Sequence, residues 1–86
     1  MQRKKMVMQL AQGMHARPAA VFVGQASQFQ SEVLLSSGGT TVNGKSIMGI
    51  LMLALSPGSE VELQVDGADE EQAIQVLTKV LLGNAE

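Results

Sequence analysis

His15 is the single histidine of an 86-residue chain that contains no cysteine. It sits in the string Gly13-Met14-His15-Ala16-Arg17-Pro18-Ala19-Ala20. Proline is tolerated in the first turn of a helix and poorly in its interior, so Pro18 predicts a helix start with the imidazole just ahead of it. Backbone N–H groups without helical partners and the positive end of the helix dipole attract anions at such a start. The N–H groups of Ala16 and Arg17 are the nearest candidates. Arg17 adds a fixed positive charge whose planar fork fits phosphate oxygens. A neutral imidazole, an anion-holding helix end and an arginine within one turn predict a site that accepts a phosphoryl group. A lone histidine near a helix start is also a common surface residue, so the rest of the chain has to decide.

A second string carries chemistry of its own. Gly39-Thr40-Thr41-Val42-Asn43-Gly44-Lys45-Ser46 matches the phosphate-loop pattern G-x-x-x-x-G-K-[ST] letter for letter. Three features oppose a nucleotide site. Thr40-Thr41-Val42 suits a strand better than a curled anion nest, and Gly38-Gly39 reads as a hairpin turn. The chain lacks the parallel sheet and crossover helices of such folds. Asp66, the acid that follows, ends an alternating strand. The better reading of Ser46 is a helix cap whose hydroxyl satisfies an orphan N–H. A phosphate there would add close to two negative charges at the same helix end. Ile47, Met48 and Leu51 follow on a helix too short to bury them all, which predicts a partner-docking patch beside a plainer reading as core.

The elements that must position these residues follow from periodicity. Lys4–Leu10 alternates with Met6, Met8 and Leu10 on one face. Pro18 to about Phe29 carries Ala19, Phe22, Val23, Ala26 and Phe29 at helical spacing. Glu32–Ser36 and Thr40–Asn43 flank Ser37-Gly38-Gly39 as a hairpin. Ser46 to about Leu55 is predicted as a short helix, and Ser56-Pro57-Gly58-Ser59 as a tight turn. Glu60–Asp66 alternates cleanly, with one face buried and one wet. The last helix opens at Asp69, with Gln72 completing a capping box, and Gly83-Asn84 ends it. Leu34 should point away from the helices. The order β-α-β-β-α-β-α predicts an α+β fold, an open-faced two-layer sandwich. Three helices should cover one face of a four-stranded antiparallel sheet, in a single domain over residues 1–86.

Composition excludes several classes. Without cysteine there are no disulfides or thiolate sites, and one histidine with scattered carboxylates makes no metal cluster, so no metal or cofactor is expected. No run approaches the roughly 20 apolar residues of a membrane span. Arg3-Lys4-Lys5 precedes only a short apolar stretch broken by Gln9, so no secretory leader and a cytoplasmic location are expected. The net charge of −2 is unevenly spread. Arg3, Lys4, Lys5, Arg17 and Lys45 face Glu32 alone in residues 1–59, whereas acids dominate beyond. An incoming phosphate therefore meets no local repulsion near His15 or Ser46. Few basic residues and two phenylalanines disfavour direct nucleic-acid binding.

Through Gly13-Met14-His15-Ala16-Arg17-Pro18-Ala19 and Asn43-Gly44-Lys45-Ser46-Ile47-Met48-Gly49, the sequence resembles the HPr/Crh family over essentially its whole length. HPr is the histidine-containing phosphocarrier of the bacterial phosphoenolpyruvate-dependent sugar phosphotransferase system. The resemblance implies a carrier rather than an enzyme. His15 would accept a phosphoryl group through Nδ1 from enzyme I and pass it to sugar-specific enzyme IIA components, with Arg17 helping to hold it. Ser46 would be the target of HPr kinase/phosphorylase. The phosphorylated form would bind catabolite control protein A through a surface including Ala20, Ile47, Met48 and Leu51. Gln12 replaces a frequent serine or asparagine, Ala20 a frequent threonine, and Gly44 a usually apolar residue. Crh relatives carry glutamine in place of the histidine, so His15 favours a carrier. A Crh-like corepressor acting through Ser46 is the alternative, with nucleotide binding a distant third.

Overall fold

The computed structural model describes residues 1–10 and 13–83. Elements follow in the order β1 (Gln2–Val7), α1 (Ala16–Ala26), β2 (Glu32–Ser37), β3 (Thr40–Asn43), α2 (Ile47–Met52), β4 (Glu60–Asp66) and α3 (Glu70–Leu81). The sheet order is β1-β4-β2-β3, with every neighbouring pair antiparallel. This is the expected open-faced α+β sandwich.

Alternation in β2 and β4 decides which sheet face is dry. Val33, Leu35, Val61, Leu63 and Val65 are buried under the three helices, against Ala19, Phe22, Ala26, Ile50, Ala73 and Leu77. Register puts Arg3, Lys5, Leu34, Ser36, Glu62 and Gln64 on the opposite, uncovered face. Leu34 therefore points away from the helices, half-buried between Asn43 and Gln64. The β2–β3 turn uses Gly38 and Gly39, at φ +58° and +85°. Two successive positive values are what a tight two-residue hairpin of matching twist requires.

Several boundaries differ from the sequence reading, each for a local reason. β1 stops at Val7, opposite Glu60, the first residue of β4. Beyond it Met8 bonds Ser59 and Gly58, and Gln9 donates to Leu81, so the alternation outlasts the strand. α1 ends at Ala26 because Gln28 and Phe29 donate to Gln25 and Ala26, tightening the chain out of α geometry. α2 ends at Met52, and Ala54 takes φ +51°, a left-handed position usually given to glycine after a helix.

The capping box expected at α3 does not form. The Asp69 side chain makes no cap bond to its own helix. It accepts instead from Gln30 N at 2.9 Å, from Ser31 N at 3.0 Å and from the Ser31 hydroxyl. Three donors, two on one buried serine, outcompete a single helical N–H. Glu70 closes the turn by accepting from Gly67 N at 3.0 Å. Asn84, read as part of the helix end, lies outside the described residues.

Candidate functional site

Gly13 and Met14 hold the approach to His15. Gly13 has φ +79°, and a Cβ there would lie 2.8 Å from the Leu55 carbonyl oxygen. That closeness lets Met14 N donate to the same carbonyl at 2.9 Å, while the Met14 side chain is buried. The backbone immediately before the histidine is thus tied to the segment after α2. Ala54, in its left-handed conformation, is the residue that delivers Leu55.

His15 is the N-cap of α1, with extended backbone at φ −113° and ψ −168°. Its carbonyl accepts from Ala19 N at 3.0 Å, so the main chain performs the cap. Its side chain makes no cap bond and is exposed. Pro18 occupies the third helical position and has no N–H. Ala16 and Arg17 therefore supply the first-turn amides, and neither has a backbone acceptor among the described residues. The first turn holds no acidic residue. Arg17 is exposed, and no ion pair engages it among the described residues. An anion beside His15 would meet two amides, the helix dipole and a guanidinium, with no carboxylate in that first turn. Gln12 lies outside the described residues.

The Ser46 region is built otherwise. Ser46 Oγ accepts from Gly49 N at 3.1 Å and caps α2 as expected. The preceding phosphate-loop lookalike is not a nest. Thr40–Asn43 is the edge strand β3, Gly44 N donates to Val33 O at 2.7 Å, and Lys45 Nζ donates to Phe29 O at 2.8 Å. The lysine thus neutralises the end of the α1 turn rather than facing an anion. A Cβ at Gly44 would lie 2.5 Å from Val33 Cγ1, so glycine suits this β2–β3 approach. No hydrogen bond among the described residues joins Ser46 to His15, although α1 and α2 pack together.

Of the anticipated docking residues, Ala20 is exposed, and Ile47 and Met48 are 41% and 70% exposed. Leu51 is half-buried against the core and belongs partly to the plainer reading. Sequence reasoning missed Met52, which is 77% exposed. The signal was there, since Met52 lies one turn after Met48. Continuing the helix to Leu55 hid its place at an exposed end. Among the described residues no three His, Cys, Asp or Glu side chains gather to hold a metal, and no helix is long and apolar enough to cross a membrane.

A four-stranded antiparallel sheet roofed on one face by three helices, with a histidine exposed at a helix start, defines a small open-faced sandwich domain. The family model described as PTS HPr component phosphorylation site matches residues 2–82. Phosphocarrier protein HPr of Neisseria meningitidis is 49% identical over 71 residues, covering 83% of this chain and 80% of that protein. HPr-like protein Crh of Bacillus subtilis is 47% identical over 77 residues, covering 90% and 91%. The crystal structure of HPr-C-His from Thermoanaerobacter tengcongensis superposes with a TM-score of 0.92 at 40% identity, covering 98% of this chain and 94% of that one. The chain belongs to the HPr/Crh family of phosphocarriers.

Proposed function

We propose that this chain is a cytoplasmic, single-domain phosphoryl carrier of a sugar phosphotransferase system, working through His15. Phosphorylated enzyme I is the donor and sugar-specific enzyme IIA components are the acceptors. In the first transfer a neutral imidazole, through Nδ1, forms a bond to phosphorus as the bond to the donor breaks. The second transfer repeats this with His15 as the leaving group. Arg17 and the amides of Ala16 and Arg17 hold the phosphoryl oxygens, chiefly by charge and position. The observation that carries the reading is His15 itself, exposed as an N-cap whose side chain is not used to cap.

Incubation with phosphoenolpyruvate and enzyme I tests it. The wild-type chain should gain an acid-labile phosphoryl adduct, and His15→Ala should gain none while melting at the same temperature. An unmodified wild-type chain would end the carrier reading.

A regulatory layer is proposed on α2. Phosphorylation of Ser46 by HPr kinase/phosphorylase would create a partner for catabolite control protein A, docking through Ala20, Ile47, Met48 and Leu51. The Ser46 cap and the exposed apolar side chains after it support this. Kinase and ATP should enable binding by wild type and not by Ser46→Ala. Were that the only activity found, with His15 inert, the Crh-like alternative would stand.

A further inference from the structure

The methionines divide sharply by exposure. Met8 and Met14 are buried, at 1% and 6%, whereas Met48 and Met52 are 70% and 77% exposed. Met1 is also exposed, at the N-terminus, and Met6 is half-buried in β1, whereas Met48 and Met52 stand one helical turn apart on α2, beside half-exposed Ile47 and just past the Ser46 cap. Residues four apart on a helix are neighbours, so the two thioether side chains, the most exposed large apolar ones on α2, lie side by side. An isolated apolar side chain on a surface means little, but a contiguous pair of oxidisable ones on the same face is a chemical feature.

We propose that Met48 and Met52 are a peroxide-sensitive modification site that converts the α2 face from apolar to polar. In each event a hydroperoxide is the oxidant. Its O–O bond breaks, a new S–O bond forms on the thioether, sulfur is oxidised by two electrons, and the peroxide is reduced to water or alcohol. The sulfoxide is a strong dipole and hydrogen-bond acceptor where a partner would seek an apolar contact, and methionine sulfoxide reductases reverse it. The consequence for partners rests on the proposed docking role of α2.

The test treats the whole chain with hydrogen peroxide and maps one-oxygen adducts by peptide mass spectrometry. Met48 and Met52 should oxidise at least about tenfold faster than Met8 and Met14. Retention on a hydrophobic-interaction column should fall in the wild type and hold in a Met48→Leu/Met52→Leu variant, which also separates the contribution of exposed Met1. Affinity of the Ser46-phosphorylated chain for catabolite control protein A should fall about tenfold on oxidation and return after reductase treatment. Equal oxidation of buried and exposed methionines would overturn the proposal, as would a retention loss that persists in the leucine variant or an unchanged affinity. A Ser46-phosphorylated, unoxidised chain that binds no catabolite control protein A would sink the docking reading instead, leaving mapping and retention to decide the methionine pair.

Discussion

Helix α3 begins with its carboxylates engaged: Asp69 grips Gln30 and Ser31, and Glu70 takes the Gly67 amide. Helix α1 begins with no acidic residue, no side-chain cap and a proline where a third amide would be. Both are positive dipole ends in the same small fold, yet one has the chain's own carboxylates in and beside its first turn and the other has none in its first turn. The difference separates structural use of a helix start from chemical use. At α3 the negative charge is permanent and ties α3 to the α1–β2 connection. At α1 no first-turn carboxylate supplies that charge, and His15 stands where an arriving anion would be expected to land.

Making α1 resemble α3 is the most disruptive test. Arg17→Glu places a carboxylate in the first turn, where it favours the dipole and leaves helix stability equal or slightly higher. It should slow phosphoryl transfer to His15 by about a hundredfold, because charge reversal repels the donor phosphate. Rapid-quench transfer kinetics alongside thermal melts would check both halves.

Opening α3 should do the reverse, costing stability without touching transfer. Hydrogen bonds from Ser31 and the Gln30 amide hold the Asp69 carboxyl below its usual range, and the Gly67 amide does the same for Glu70. A depressed carboxylate pKa stabilises the fold above the unfolded value, about 3.9 for aspartate, and loses that contribution as pH falls through the folded value. Urea midpoints of the wild type should therefore drop as pH is lowered from about one unit above the unfolded value to about two units below it. Asp69→Asn should begin lower at neutral pH and show a flatter acid limb.

Ser46→Ala removes the one side-chain cap that α2 has and should cost about 1 kcal/mol in urea unfolding. The smallest effect expected is a gain. Gly24 lies in α1, and a Cβ there would meet no atom within 4 Å. Gly24→Ala should add about 0.5–1 kcal/mol with transfer unchanged.

The sheet was legible because Val61, Leu63 and Val65 alternate with polar residues and Gly38-Gly39 marks the hairpin. The placement of His15 just ahead of a helix was legible because Pro18 dates the helix start to within a turn. Asp69 was not. Its neighbour Gln72 signals a local capping box, while the partner that wins, Ser31, is distant in sequence and invisible to any short window. The phosphate-loop string shows the converse, since its letters are right and only the strand pairing of Thr40–Asn43 reveals a different backbone. Met52 was missed because helix ends set by left-handed residues such as Ala54 leave little trace in periodicity.

In the proposed carrier role, Pro18 would set a limit on how firmly cargo is gripped. A phosphoryl group brings three terminal oxygens, and an unbroken helix would meet it with a further amide that this proline deletes. A seat one handhold short would favour brief tenancy, so on that reading the residue that announces the helix in the sequence would also keep its passenger ready to leave.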